Sequence, residues 1–182
     1  LDIVPPDPAL GHAANFLYML TGEKADPVKV KGIDLYLVLL ADHGLNASTF
    51  TARVIAGTEA DMYAAVTGAL GALKGPLHGG ANQGVMDMLD EVGSLDRVDA
   101  WFDATMAGQR RIMGIGHRVY KTEDPRARVL RRVSDEMGYA VGKHDLHEMA
   151  LRIEQRALSH PHFVERKLAP NVDYYSATVL YY

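Results

Sequence analysis

The 182-residue sequence contains no cysteine. That absence excludes disulfides, thiolate zinc sites and any acyl intermediate carried on a cysteine. No apolar run approaches the roughly 20 residues of a membrane-spanning helix. A soluble protein without a membrane partner is therefore expected, and the lack of cysteine fits a cytoplasmic location. Low-complexity tracts and internal repeats are missing, as are a phosphate-binding P-loop and a strand-anchored dinucleotide fingerprint. The opening "LDIVPPDPAL" has neither the basic start nor the apolar segment of a signal peptide. It lacks methionine, and the chain closes on the apolar run "SATVLYY" with no cap. Both ends read as cuts within a longer chain.

What is present is mostly helical spacing. About half the residues are apolar, enough for one sizeable domain or parts of two. "DPALGHAANFLYMLTG" starts on proline and ends on glycine, as helices do. "DPVKVKGIDLYLVLLADHG" sets Val30, Ile33, Leu37 and Leu40 at helical intervals, with Val38 and Leu39 widening the stripe. "NASTFTARVIAG" and "EADMYAAVTGALGALKG" follow. Their small residues predict a pair packed closely against other helices or a second subunit. "GGANQGVMDMLDEVG", "SLDRVDAWFDATMAGQ", "DPRARVLRRVSDEMG" and "DLHEMALRIEQRALSH" complete the set. Strand signals are few. "RRIMGIGHRVYKT" reads as a loop or a short extended piece, so the fold class is mainly α.

The net charge of -4 hides a local surplus of the other sign. Between Arg110 and Arg132 stand eight cationic residues, opposed only by Glu123 and Asp124. Such a focus attracts carboxylates, phosphates or nucleic acid, or forms a solvated helix face. Tyr120 alone gives little support to a nucleic-acid surface, and none is expected.

Three histidines stand at glycine-marked breaks between helices: His43 in "LLADHGLNAST", His78 in "GPLHGGANQG" and His117 in "IMGIGHRVYKTEDPR". Taken singly, each reads first as a surface or turn histidine. Three at such junctions point instead to a site. Glycines let the main chain turn sharply or approach a ligand closely. In "PNVDYYS", Asp173 follows a proline-led turn and opens an aromatic helix. It suits a helix N-cap, and in an apolar site it also suits a general base. His144 and His147 lie three apart on one helix without a visible third ligand, so they read as a solvated face and no metal is expected. His160 and His162 flank Pro161 in a turn, and His12 precedes a structural helix.

In order and spacing, "ADHGLNAST", "GPLHGGAN", "GIGHRVYKTEDPR" and "PNVDYYS" resemble the citrate synthase family over nearly the whole chain, and "ANFLYMLTGEKADP" resembles the preceding segment of its bacterial members. The resemblance implies a citrate synthase-like multi-helical fold. It also implies condensation of acetyl-CoA with oxaloacetate and water, giving citrate and CoA. Asp173 would remove a methyl proton, while His78 hydrogen-bonds the thioester oxygen. His117 would polarise the ketone of oxaloacetate and protonate the new alkoxide. His43 and Arg126 would hold oxaloacetate, the arginine through its planar fork. Gly79, Gly80, Ala81 and Asn82 match the loop around the CoA adenine, and Lys121 would meet CoA phosphates. Acetyl-CoA enters as a substrate, with no tightly bound cofactor.

By the same resemblance, residues 1–75 form the last part of a large domain with dimer-interface helices. Residues 76–172 form a mobile, CoA-binding small domain, and 173–182 begin the return to the large domain. The family chain is about twice as long and assembles as a homodimer or a hexamer of dimers. Arginines missing from this segment complete the oxaloacetate site, so little activity is expected of these 182 residues alone. The same residues would serve a 2-methylcitrate synthase using propionyl-CoA. A non-catalytic module binding CoA or anions is the alternative of another class.

Overall fold

The computed structural model describes residues 3–41, 44–116 and 122–182. Among them are ten α-helices and one 3-10 turn, with no strand beyond an isolated bridge. The helices are α1 His12–Thr21, α2 Pro27–Leu40, α3 Ala47–Ala56, α4 Met62–Leu73 and α5 Ala81–Val92. After the 3-10 turn Leu95–Arg97 come α6 Val98–Ala107, α7 Pro125–Val141, α8 His144–Ser159, α9 Pro161–Arg166 and α10 Val172–Tyr181. Among the described residues, no helix is long and apolar enough to cross a membrane.

The starts follow capping chemistry. Asp26, Asn46, Asp61 and Asp124 each accept a backbone N–H of the first helical turn from α2, α3, α4 and α7. Such caps stabilise a helix by about 1 kcal/mol each. One stop and one turn differ from expectation. Helix α7 runs through Gly138 and ends before Gly142, which takes a left-handed φ of 70°. Gly138 is instead a contact point: a Cβ there would lie 3.1 Å from both His144 Cα and Tyr182 Oη. The turn around Pro161 is a short helix, α9, capped by the His160 ring accepting from the His162 N–H at 3.2 Å.

The core gathers around α10, which packs on α7, α5 and α8 and also touches α2. Tyr174 and Tyr175 are fully buried there with Leu89, Phe102, Leu130 and Ile153. Each such side chain contributes about 1.5–3 kcal/mol through burial. Their hydroxyls are satisfied. Tyr174 donates to the Ala150 carbonyl at 2.7 Å, and Tyr175 donates to the buried Glu154 carboxylate. Arg131 pairs with that same carboxylate and with Glu123. On α2, Ile33 is buried, but Leu37 and Val38 stay exposed, so the core-facing stripe is narrower than its sequence indicates.

Helices α3 and α4 pack chiefly on each other. Their tight approach uses Gly68, where a Cβ would meet Ile55 Cδ1 at 2.2 Å. No other described helix covers the pair. Phe50, Val54, Tyr63, Val66 and Leu70 remain exposed.

The segment before residue 117 is fastened to the start of α10. The Gly116 N–H donates to the Ala169 carbonyl at 2.8 Å, and Asn171 N–H donates to the Gly114 carbonyl at 2.9 Å. Ile115 bridges Pro170 between them. Gly114 has a φ of 73°, and a Cβ there would lie 2.9 Å from Tyr174 Cα and from Val85 Cγ2. Gly114→Ala is therefore expected to destabilise the protein by about 2 kcal/mol or more, through both backbone strain and overpacking. Urea unfolding followed by circular dichroism checks this.

Candidate functional site

The start of α10 places Asp173. The expected capping role falls to Asn171, two residues earlier, whose Oδ1 accepts from the Asp173 N–H at 2.9 Å. The Asn171 amide simultaneously donates to the Gly116 carbonyl at 2.8 Å. One side chain thus caps the helix and ties down the chain that leads to residue 117. With Asn171 as the cap, the Asp173 carboxylate is available for other work. Burial raises its pKa to about 6; the Arg126 charge opposes that shift and the neighbouring Asp124 charge adds to it. A carboxylate in this state is a stronger base than one in water, yet still ionised at neutral pH.

Arg126 comes from the first turn of α7, set by "DPR". Asp124 caps the helix through the Arg126 N–H at 3.0 Å, and Pro125 supplies the preset φ of the first position. The same carboxylate grips the guanidinium by two bonds, from Nε to Oδ1 at 3.0 Å and from Nη2 to Oδ2 at 2.8 Å. Asp124 is 1% and Arg126 9% exposed. A desolvated arginine held by a fixed partner is rigid in direction, which suits recognition of a planar anion.

The basic focus in the sequence is largely paired elsewhere. Arg110 forms a fork with Glu91, Arg128 meets Glu123, Arg131 meets Glu123 and Glu154, and Arg132 faces Glu136. Among the described residues, Arg131–Glu154 links α7 to α8, the other pairs tie a loop to a helix or lie within α7, and Arg126 is the member whose charge reaches Asp173.

His78 lies in the turn between α4 and α5. Its Nε2 is 2.7 Å from Ser48 Oγ on α3. The glycines around it answer to close backbone packing. A Cβ on Gly79 would meet Leu73 Cδ1 at 2.4 Å, and one on Gly80 would meet the Lys74 carbonyl oxygen at 2.8 Å. Only a chain without side chains folds back on the end of α4 so tightly. Above this turn opens a groove of about 660 Å³, lined by Leu70, Leu73, Lys74, Gly79, Gly80 and Met113 among others.

The His78 turn and the Asp173 helix are joined one turn further in. Asn82 on α5 donates to Ser176 Oγ on α10 at 2.8 Å. Tyr36 of α2 stands near the same junction; burial and then the Asp173 charge raise its pKa, with Asn82 opposing. Ala81 is the first residue of α5. His43, His117 and Lys121 lie outside the described residues.

Sequence reasoning missed Tyr36, Ser48, Asp124 and Asn171. Tyr36 hides in an apolar stripe, and nothing local marks Ser48 as the partner of a residue 30 positions away. Asp124 and Asn171 were both visible, in "EDPR" and "PNVD", but only as neighbours of the residues singled out. The solvated-face reading of His144 and His147 is overturned for His147. His147 is buried, and its ring faces Ser134, which is itself fully enclosed.

Fold and site together define an all-helical protein with a desolvated acid beside a fixed arginine. The family model for the citrate synthase C-terminal domain matches residues 1–182. Citrate synthase 2 of Bacillus subtilis is 49% identical over 179 residues, which are 98% of this chain and 47% of that protein. The citrate synthase structure from Pyrobaculum aerophilum superposes with a TM-score of 0.90 at 47% identity, covering 100% of this chain and 45% of that one. A citrate synthase from Thermoplasma acidophilum, in ternary complex with carboxymethyl coenzyme A and oxaloacetate, gives 0.87 at 36% identity, covering 97% of this chain and 46% of that one. The chain belongs to the citrate synthase family and spans about half the length of the relatives it matches.

The raised Asp173 pKa has a consequence for stability. The folded state holds the proton more tightly than the unfolded chain, so this contribution is fully present below the ordinary value of 3.8 and lost as pH rises through about 6. Relative to wild type, Asp173→Asn is therefore expected to gain stability above that range, by about 3 kcal/mol at most. The gain should vanish in acid. Paired denaturant titrations from pH 4 to about pH 8 test the sign.

Proposed function

We propose that the whole protein condenses acetyl-CoA with oxaloacetate and water, releasing citrate and free CoA. The observation that carries this reading is the half-buried Asp173, its pKa raised to about 6 by desolvation within reach of the Arg126 charge, at the start of a helix capped by Asn171. A methyl group next to a thioester is a very weak acid, and it loses a proton only when charge on the carbonyl oxygen is stabilised as it forms. Asp173 takes that proton, while His78, held by Ser48, donates a hydrogen bond to the thioester oxygen. The resulting enol or enolate carbon attacks the ketone of oxaloacetate, and His117 delivers a proton to the alkoxide oxygen. Water then hydrolyses the citryl thioester. Arg126 and His43 hold the oxaloacetate carboxylates. No acyl group moves onto the protein, consistent with a chain that has no cysteine.

In this reading the groove over Gly79 and Gly80 receives CoA, with Gln83, Gly84 and Asp87 at its helical wall; Ala81 and Asn82 continue the glycine turn into α5, and Lys121 is assigned to the CoA phosphates. The ligands in the Thermoplasma acidophilum complex support both substrates. The acyl-CoA is a substrate, and no tightly bound cofactor takes part. Residues 1–75 belong to a large domain, 76–172 to a closing small domain and 173–182 to the link back, with α10 packed on helices of both stretches. The exposed apolar side of α3 and α4 supports a homodimer, alone or as the unit of a hexamer, in the cytoplasm.

Thiol release from acetyl-CoA by the whole protein, dependent on oxaloacetate, tests the reaction. Asp173→Asn is expected to lower kcat by about 10²–10⁴-fold, the usual worth of a general base, with oxaloacetate affinity nearly unchanged. Near-normal turnover of that variant removes Asp173 from the role. A higher kcat/KM for propionyl-CoA than for acetyl-CoA would instead make the enzyme a 2-methylcitrate synthase. No thiol release from folded protein favours a binding module.

A further inference from the structure

Away from the acid and arginine, the end of α7 and the start of α8 bring together Asp135, His144 and His147. One ligand atom from each lies within 4.8 Å of the other two. Both imidazoles aim Nε2 at the same oxygen, Asp135 Oδ1, at 2.7 Å from His144 and 3.7 Å from His147. Their other nitrogens face separate partners. His147 Nδ1 is 3.0 Å from Ser134 Oγ, which in turn is 2.7 Å from Thr178 Oγ1 on α10. His144 Nδ1 is 3.7 Å from Glu148 Oε1. The Tyr139 ring stacks on His144 at 3.6 Å and fixes its plane.

We propose that Asp135, His144 and His147 form a site for a divalent transition metal such as Zn²⁺, clipping the end of α7 to the start of α8. Two convergent imidazoles and one carboxylate, with one outward nitrogen held by a hydroxyl and the other facing a second carboxylate, form a three-ligand set with its outer shell. In a tetrahedral site with bonds of about 2.0–2.1 Å, neighbouring ligand atoms stand about 3.4 Å apart. The Asp135–His147 spacing is already close to this. The Asp135–His144 hydrogen bond must open by roughly 0.7 Å to reach the same spacing. Asp135 is 47% exposed at its side chain, so it can move, and its open side admits a water as fourth ligand. The site does not depend on the proposed reaction.

The test uses the whole protein, stripped with chelator, titrated with Zn²⁺ by calorimetry and with Co²⁺ by visible absorption. One ion per chain, a tetrahedral Co²⁺ spectrum and a raised Tm are expected. Asp135→Asn, at a half-exposed position, should weaken Zn²⁺ binding by about 100-fold or more without changing the circular dichroism. Glu148→Gln should weaken it by about 10-fold, the usual cost of an outer-shell partner. Absence of saturable binding overturns the proposal. So does binding that Asp135→Asn leaves unchanged, because the ion would then sit on other residues.

Discussion

The Asn171 side chain is the joint on which the site depends. Its oxygen closes the first turn of α10, and its amide holds the Gly116 carbonyl. If Asp173 capped its own helix, its carboxylate would be spent on backbone N–H groups, and hydrogen bonds to the charged form would lower its pKa. Moving the cap two residues upstream reverses that. The carboxylate is left in a desolvated place where, among the described residues, the Arg126 charge favours ionisation, and the result is a base tuned upward. The second hydrogen bond holds the segment that ends at Gly116. A single amide thereby ties that segment to the helix that carries the acid.

Arg126 and Asp124 limit how far that tuning goes. An uncompensated buried guanidinium would be costly, and it would pull Asp173 back toward the range of an ordinary carboxylate. Asp124 balances it, lying closest to the arginine and adding its own negative charge to the field at Asp173. The arginine therefore stays charged and directed, while the acid keeps a raised pKa. The short span of "EDPR" supplies the helix cap, the helix start and the charge pair at once, so each is lost if the chain shifts by one residue.

Much of the fold was legible because capping chemistry is local. Asp–Pro before α2 and α7, and Gly22 after α1, mark their boundaries from side-chain and backbone properties alone. Gly138 misled because a glycine read as a stop was needed for contact with Tyr182, 44 residues away. The same limit applies at the site. The residues bearing chemistry stood out through glycine-marked breaks and through resemblance, whereas their positioning partners did not. Ser48, Tyr36 and Ser176 acquire meaning only from tertiary packing, and local sequence carries no trace of it. His147 looked solvated because its helix is polar overall and the sequence pairs it with His144, although it falls at helical spacing on the buried side with Ala150, Ile153 and Ala157.

The placement of His78 depends on a part of the molecule that these helices do not themselves secure. Its hydrogen-bond partner Ser48 lies on α3, and α3 leans on α4 with few other contacts. A two-helix hairpin with Phe50, Val54, Val66 and Leu70 in water is weakly held, since most helical stability comes from burying an apolar face. Whatever covers that face also fixes Ser48 and, through it, the imidazole. A misplacement of about 1 Å can cost a reaction 10²-fold. The proposed second subunit would then also act on the chemistry by stiffening the support of the histidine. Oligomer formation and catalytic precision would in that case share one apolar surface.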